Sequence, residues 1–341
     1  MQKFRTFFSK FYGVLRLPYP KVRCYIDIRT CHHIAPFSIL NHFTKGNMRP
    51  TALFVAYLGT ALIIGALIAY PIDLELGPLI DEPIYRFVTR SAMLLALLSS
   101  PFLLRHLNLD NAPSLGFGLP RHRFVRDMFV GLLAGIIIML LLVGALVILN
   151  VRLVKPDWVF SWFDLTATVL GGLVSGLVIA LIEETFFRGA MFTAVYRYSG
   201  LWPAAVLPSL LYAALHFIKT DYDVAPDALQ WYSGLVVLAH CFEQFTDPAA
   251  IIDSFLALFA VGIFLALVRA RTGGIAACMG LHAGWVLIIM LAKDITRADT
   301  NAEFSFLIGD YDDITGYLAL MLMSAVAAVY YALTMPSRRT D

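Results

Sequence analysis

Long uncharged apolar runs, divided by shorter polar connections, fill the chain from residue 51 onward. They cover residues 51–70, 87–104, 128–149, 165 into a stretch at Glu183, 201–217, 251–268, 275–292 and 314–334. Crossing the roughly 30 Å hydrocarbon core of a bilayer takes about 20 apolar helical residues. The pattern therefore predicts an all-α polytopic membrane protein of about eight transmembrane helices. The second and fifth are the weakest, because they are short or are interrupted by Pro101, Pro203 and Pro208. Glycines four apart, the spacing that lets helices approach closely in lipid, occur at Gly131 and Gly135, Gly172 and Gly176, and Gly280 and Gly284.

Charge sorts the connections. Arg105, Arg121, Arg123 and Arg126 follow the second run, Arg188 and Arg197 the fourth, Arg269 and Arg271 the sixth, and Arg338 and Arg339 the last. The alternate connections are acidic: Asp73, Glu75, Asp81 and Glu82 in one, and six acids in each of 218–253 and 293–313. By the positive-inside rule both termini are cytoplasmic. Within 218–250, residues 228–245 are apolar on one side and polar on the other, which suits an interfacial helix or a lid.

The totals agree with a membrane protein: of 341 residues, 59% are hydrophobic and 15% charged. A net charge of +2 gives no basis for nucleic-acid binding. Residues 1–50 form a basic tail with nine Lys/Arg and one acid, suited to an anionic membrane surface. Met48, just before the first apolar run, is an alternative start. Residues 51–335 form the helical core and 336–341 a short tail. Cys24, Cys31, Cys241 and Cys278 are scattered, so neither a disulfide framework nor a structural zinc site is supported. Cys31, His32 and His33 could bind a metal, but an ordinary surface tail explains them as well.

Few ionisable residues fall inside the runs, where each is costly unless it is paired or functional. The fourth run ends in Glu183-Glu184-Thr185-Phe186-Phe187-Arg188. Glu184 and Arg188 lie four apart and can pair across one helical turn. Glu183 is turned about 100° away from Glu184, toward Phe186 and Phe187, if the helix continues through Gly189. His216 ends Tyr212-Ala213-Ala214-Leu215-His216 on the fifth run, and His282 lies on the seventh. Counted from the cytoplasmic ends, Glu183 and His216 each lie ~22 Å deep and His282 ~12 Å. Their convergence predicts a conical polar cavity between helices four, five and seven. A carboxylate beside an imidazole can deprotonate water, and a second imidazole can donate to a developing oxyanion. Together these suit peptide or ester hydrolysis without a covalent intermediate. Cys278, one turn before His282, is the nearest nucleophile. One Glu and two His could instead hold a catalytic zinc, although the H-E-x-x-H helix is absent.

In order and inside membrane helices, E-E-x-x-x-R, an aromatic-x-x-x-H and a late histidine are similar to the CPBP intramembrane proteases. That family includes CAAX endopeptidases and bacteriocin-processing or immunity relatives. The resemblance covers about residues 165–292. It implies a glutamate-dependent endopeptidase acting on a membrane-associated protein or leader peptide, with Glu183 and His216 activating water and His282 in the oxyanion hole. Glu184 and Arg188 would shape the site, with Tyr212 as the aromatic of the second motif. The resemblance implies no cofactor, zinc remaining the alternative, and a bacterial inner-membrane location. Where the family often carries Asn, four residues after the last histidine, this chain has Val286; Trp285's indole N–H or a backbone N–H is a substitute donor, and without one the activity is weak or lost. Two other functions are weighed. A catalytically silent scaffold or immunity protein is favoured by Val286. A proton-coupled transporter lacks the internal repeat such proteins often show.

Overall fold

A computed structural model of the protein describes residues 48–80 and 82–334. The basic tail with Cys24, Cys31, His32 and His33, and also Asp81, Arg338 and Arg339, lie outside the described residues. The predicted helices one to four appear as α1 (Arg49–Ile80), α2 (Ile84–His106), α3 (Arg121–Ile148) and α4 (Trp162–Glu184). A π-helical turn, Thr185–Met191, continues α4 into α5 (Phe192–Ser199). Gly200, at φ +79°, breaks the chain before α6 (Leu201–Leu215). Then follow α7 (Ser233–His240), α8 (Pro248–Thr272), α9 (Ala276–Ile295) and α10 (Tyr317–Thr334).

Seven of these segments are long and apolar enough to cross a membrane, and Leu201–Leu215 is a shorter apolar helix. The protein is an all-α polytopic membrane protein. Helix five is thus shorter than its predicted run: its 15 residues reach only about 22 Å. The apolar segments of α8 and α9 are 61% and 67% buried, against 17–28% for the other five, so these two helices form the centre. The apolar faces of the outer helices, including Leu98, Phe102, Ile148 and Leu141, stay exposed, which suits lipid contact.

Glycines fix the spacing around α9. A Cβ on Gly131 or Gly135 of α3 would overlap the carbonyl oxygens of Ala277 and Leu281. One on Gly280 or Gly284 would meet those of Met128 and Leu132. The two predicted pairs therefore interlock backbone against backbone. On the other flank a Cβ on Gly176 of α4 would sit 2.9 Å from the Ala283 carbonyl oxygen and 3.3 Å from Val286 Cβ. Packing this close brings α4 beside the α9 turn that carries His282.

A small antiparallel ribbon, missed by the apolar pattern, pairs Arg152–Val154 with Thr296–Ala298. Arg152 is buried within it. Its guanidinium donates to Thr296 Oγ1 (2.8 Å), the Thr296 carbonyl (2.9 Å) and the Asp313 carbonyl (2.7 Å). The predicted amphipathic stretch forms α7, which packs Val237 and Leu238 against Ala66 and Ala69 of α1 and Val88 of α2. Arg269, counted from sequence as a loop charge, lies in α8 and is 1% exposed.

Candidate active site

Glu183 and Glu184 end α4, just where the helix loosens into the π turn. Such turns recur at functional sites. The expectation that an α-helix runs through Gly189 is therefore corrected. The ion pair predicted from that geometry nevertheless forms: Arg188 Nη1 donates to Glu184 Oε1 at 3.2 Å. Arg269 reaches in from α8 and donates its Nε to the Arg188 carbonyl at 3.0 Å, which gives the loosened turn a partner. Arg188 also lies 4.6 Å from the centre of the Tyr212 ring, within cation–π range.

His282 joins the two carboxylates. Its Nδ1 is 3.0 Å from Glu184 Oε1, and its Nε2 is 3.9 Å from Glu183 Oε2. Glu184 Oε1 accepts from Arg188, and His282 Nδ1 is the second donor to it. The neighbouring acids differ sharply in access. The Glu184 side chain is 0% exposed and that of Glu183 28%. Glu183 thus faces His282 as well as its aromatic neighbours, rather than an apolar wall alone.

His216 caps the C-terminal end of α6, and its Nδ1 is 2.7 Å from the Tyr212 carbonyl oxygen. A carbonyl only accepts, so Nδ1–H donates and Nε2 keeps a free lone pair. The Tyr212 ring lies 4.4 Å from the imidazole. His216 is within electrostatic reach of both Glu183 and His282. A chain of contacts therefore links every predicted site residue except Trp285: Glu183 to His282, His282 to Glu184, Glu184 to Arg188, Arg188 to Tyr212, and Tyr212 to His216. Trp285 is buried one turn beyond His282, with ring centres 6.4 Å apart, and its indole nitrogen has no hydrogen-bond partner among the described residues. Glu183 Oε2, Glu184 Oε2 and Arg188 Nη2 are unpartnered in the same way.

Cys278 is fully buried and directs its thiol at the Leu265 carbonyl of α8 (3.3 Å). Among the described residues no group of three or more His, Cys, Asp or Glu is arranged to hold a metal ion. Two contributors escaped sequence reasoning. Arg269 read as an ordinary positive-inside charge. Tyr311 comes from the connection between the ribbon strand Thr296–Ala298 and α10, and its ring lies 5.9 Å from His216 and 5.3 Å from Phe217. The only available signal was its place in an acid-rich loop with no helical pattern.

Residues 165–288 match the family described as type II CAAX prenyl endopeptidase Rce1-like. The matched segment spans α4 to α9 and holds Glu183, Glu184, Arg188, Tyr212, His216, His282 and Trp285. Comparison with curated proteins and with solved structures gives no match.

Proposed function

We propose that this chain, an integral membrane protein with an Rce1-like domain over residues 165–288, is a glutamate-dependent intramembrane endopeptidase. The family is a protease family; the mechanism is read from this chain's own residues. One observation carries it: of two adjacent carboxylates, one is sealed in an ion pair and the other stays accessible beside an imidazole. Glu183 and His216 Nε2 hold the nucleophilic water. As the water oxygen bonds to the scissile carbonyl carbon, Glu183 takes its proton. The carbonyl π electrons move to oxygen, and His282 Nε2–H donates to that oxyanion. Because Nδ1 is already committed to Glu184, His282 does this as an imidazolium. The collapse of the intermediate breaks the C–N bond, and Glu183 returns its proton to the leaving amine.

The substrate is a membrane-associated protein or leader peptide. His216 packs against Tyr311 of an acidic connection, which the charge pattern places outside the cytoplasm. Comparing membrane-protein termini in cells carrying wild type or Glu183→Gln tests the reading. A terminus present only with wild type supports it, and identical termini overturn it. Adding a prenylated reporter to the same cells decides whether the substrate resembles the one in the family's description.

A silent scaffold is the second reading. Val286 packs against Gly176 of α4, so this position fills a helix interface and presents no donor. That reading predicts a binding or protective phenotype that survives Glu183→Gln.

A further inference from the structure

His216, which holds the nucleophilic water in the mechanism above, sits beside two aromatic rings, one of them from a distant loop. One is Tyr212, with ring centres 4.4 Å apart and planes at 61°. The other is Tyr311, at 5.9 Å and 63°. Tyr311 lies outside the segment that matches the protease family. Its loop is firmly built. Asp312 accepts from the backbone N–H groups of Ile314 (3.0 Å) and Thr315 (2.6 Å) and from the Thr315 hydroxyl (2.9 Å). Ser254 of α8 donates to the Thr315 carbonyl at 2.6 Å. Lys219, three residues after His216, donates to the Tyr311 carbonyl at 3.2 Å and places its ammonium 4.4 Å from the centre of the Tyr311 ring. These contacts on both backbone and ring act as a latch.

From this we infer that Tyr311 is a positioning residue for His216: its ring closes the imidazole slot, and Lys219 latches the loop that carries it. The ring, not the hydroxyl, does this, because the contacts to His216 and Phe217 are ring contacts. The role follows from aromatic geometry. Two edge-on ring neighbours restrict the imidazole to one orientation, with Nδ1–H on the Tyr212 carbonyl and Nε2 free. Burial, and then the charges of Asp312 and Glu183, raise the Tyr311 phenol above its ordinary range. The ring therefore brings no second charge to the site.

The inference rests on the peptidase reading for its consequence, but not for its test. Full-length protein labelled with ¹⁵N-histidine is placed in lipid nanodiscs, and the His216 signal is identified by its loss in His216→Gln. Wild type and Tyr311→Phe should show a single Nδ1–H tautomer. Tyr311→Ala should show a mixture of tautomers. In cells, processing of the terminus defined by Glu183→Gln should fall about ten- to a hundredfold in Tyr311→Ala, the lower part of the range that a positioned proton-transfer site contributes. Tyr311→Phe should stay within about twofold of wild type. A single unchanged tautomer in Tyr311→Ala overturns the inference, as does a loss in Tyr311→Phe equal to that in Tyr311→Ala. If Tyr311→Ala does not fold, Lys219→Met decides by the same spectrum: mixed tautomers support the latch and an unmixed signal overturns it. If Glu183→Gln leaves every terminus unchanged, the peptidase reading falls, and the tautomer spectra alone decide the role of Tyr311.

Discussion

Replacing Arg188 with Ala isolates the buried ion pair. Arg188 and Glu184 are 2% and 0% exposed and 3.2 Å apart, so solvent screens their attraction very little. Removing the cation leaves Glu184 buried with His282 as its remaining partner, at 3.0 Å. Stranding one member of a buried pair costs about 3–5 kcal/mol, although the intact pair adds little over an apolar substitute. Arg188 also supplies a cation 4.6 Å from the Tyr212 ring, worth up to about 2 kcal/mol when desolvated. Arg188→Ala should therefore lose about 4 kcal/mol or more of unfolding free energy. The partner change, Glu184→Gln, strands Arg188 and should cost a similar amount. The double variant has no stranded charge on this pair, so its loss should fall well below the sum of the two, by at least about 1 kcal/mol. Reversible denaturant unfolding in mixed micelles, followed by tryptophan fluorescence, measures all three. Additive losses would refute the coupling and, with it, the view that Glu184 and Arg188 hold each other in the buried site.

Gly280→Leu forces side-chain atoms into the Met128 carbonyl; α9 should move from α3, and both thermal stability and substrate processing should fall. Trp285→Phe removes a buried, unpartnered indole N–H beside His282; if this donor replaces the family's Asn, turnover drops about a hundredfold, as for an oxyanion-hole donor, while unfolding midpoint stays put. The zinc variant of the mechanism predicts activity lost to a strong chelator and restored by zinc; the carboxylate mechanism predicts processing unchanged by chelator.

The parts of this molecule readable from sequence are those governed by local spacing. Glu184 and Arg188 are one turn apart, and their pairing survives the π turn because both side chains are long enough to bridge it. The glycine pairs announce a close helix contact, and the structure shows which helices they join. Contacts set by chain closure are hidden. Lys219 and Tyr311 are separated by 92 positions, and nothing local to either announces the other. Arg269 looks like a loop charge because it sits three residues before the end of α8; only packing reveals that its guanidinium turns inward to the Arg188 carbonyl. The apolar run overstates helix five because Phe217 extends it past His216, where the backbone already leaves the helix.

The account stands on a division of labour between two adjacent glutamates. Cleavage and unfolding free energy, measured on the same preparations of Glu183→Gln and Glu184→Gln, test it most directly. Glu183→Gln should abolish cleavage with stability intact, whereas Glu184→Gln should lose several kcal/mol of stability. Continued cleavage by Glu183→Gln, or a stability loss equal to that of its neighbour, would contradict it.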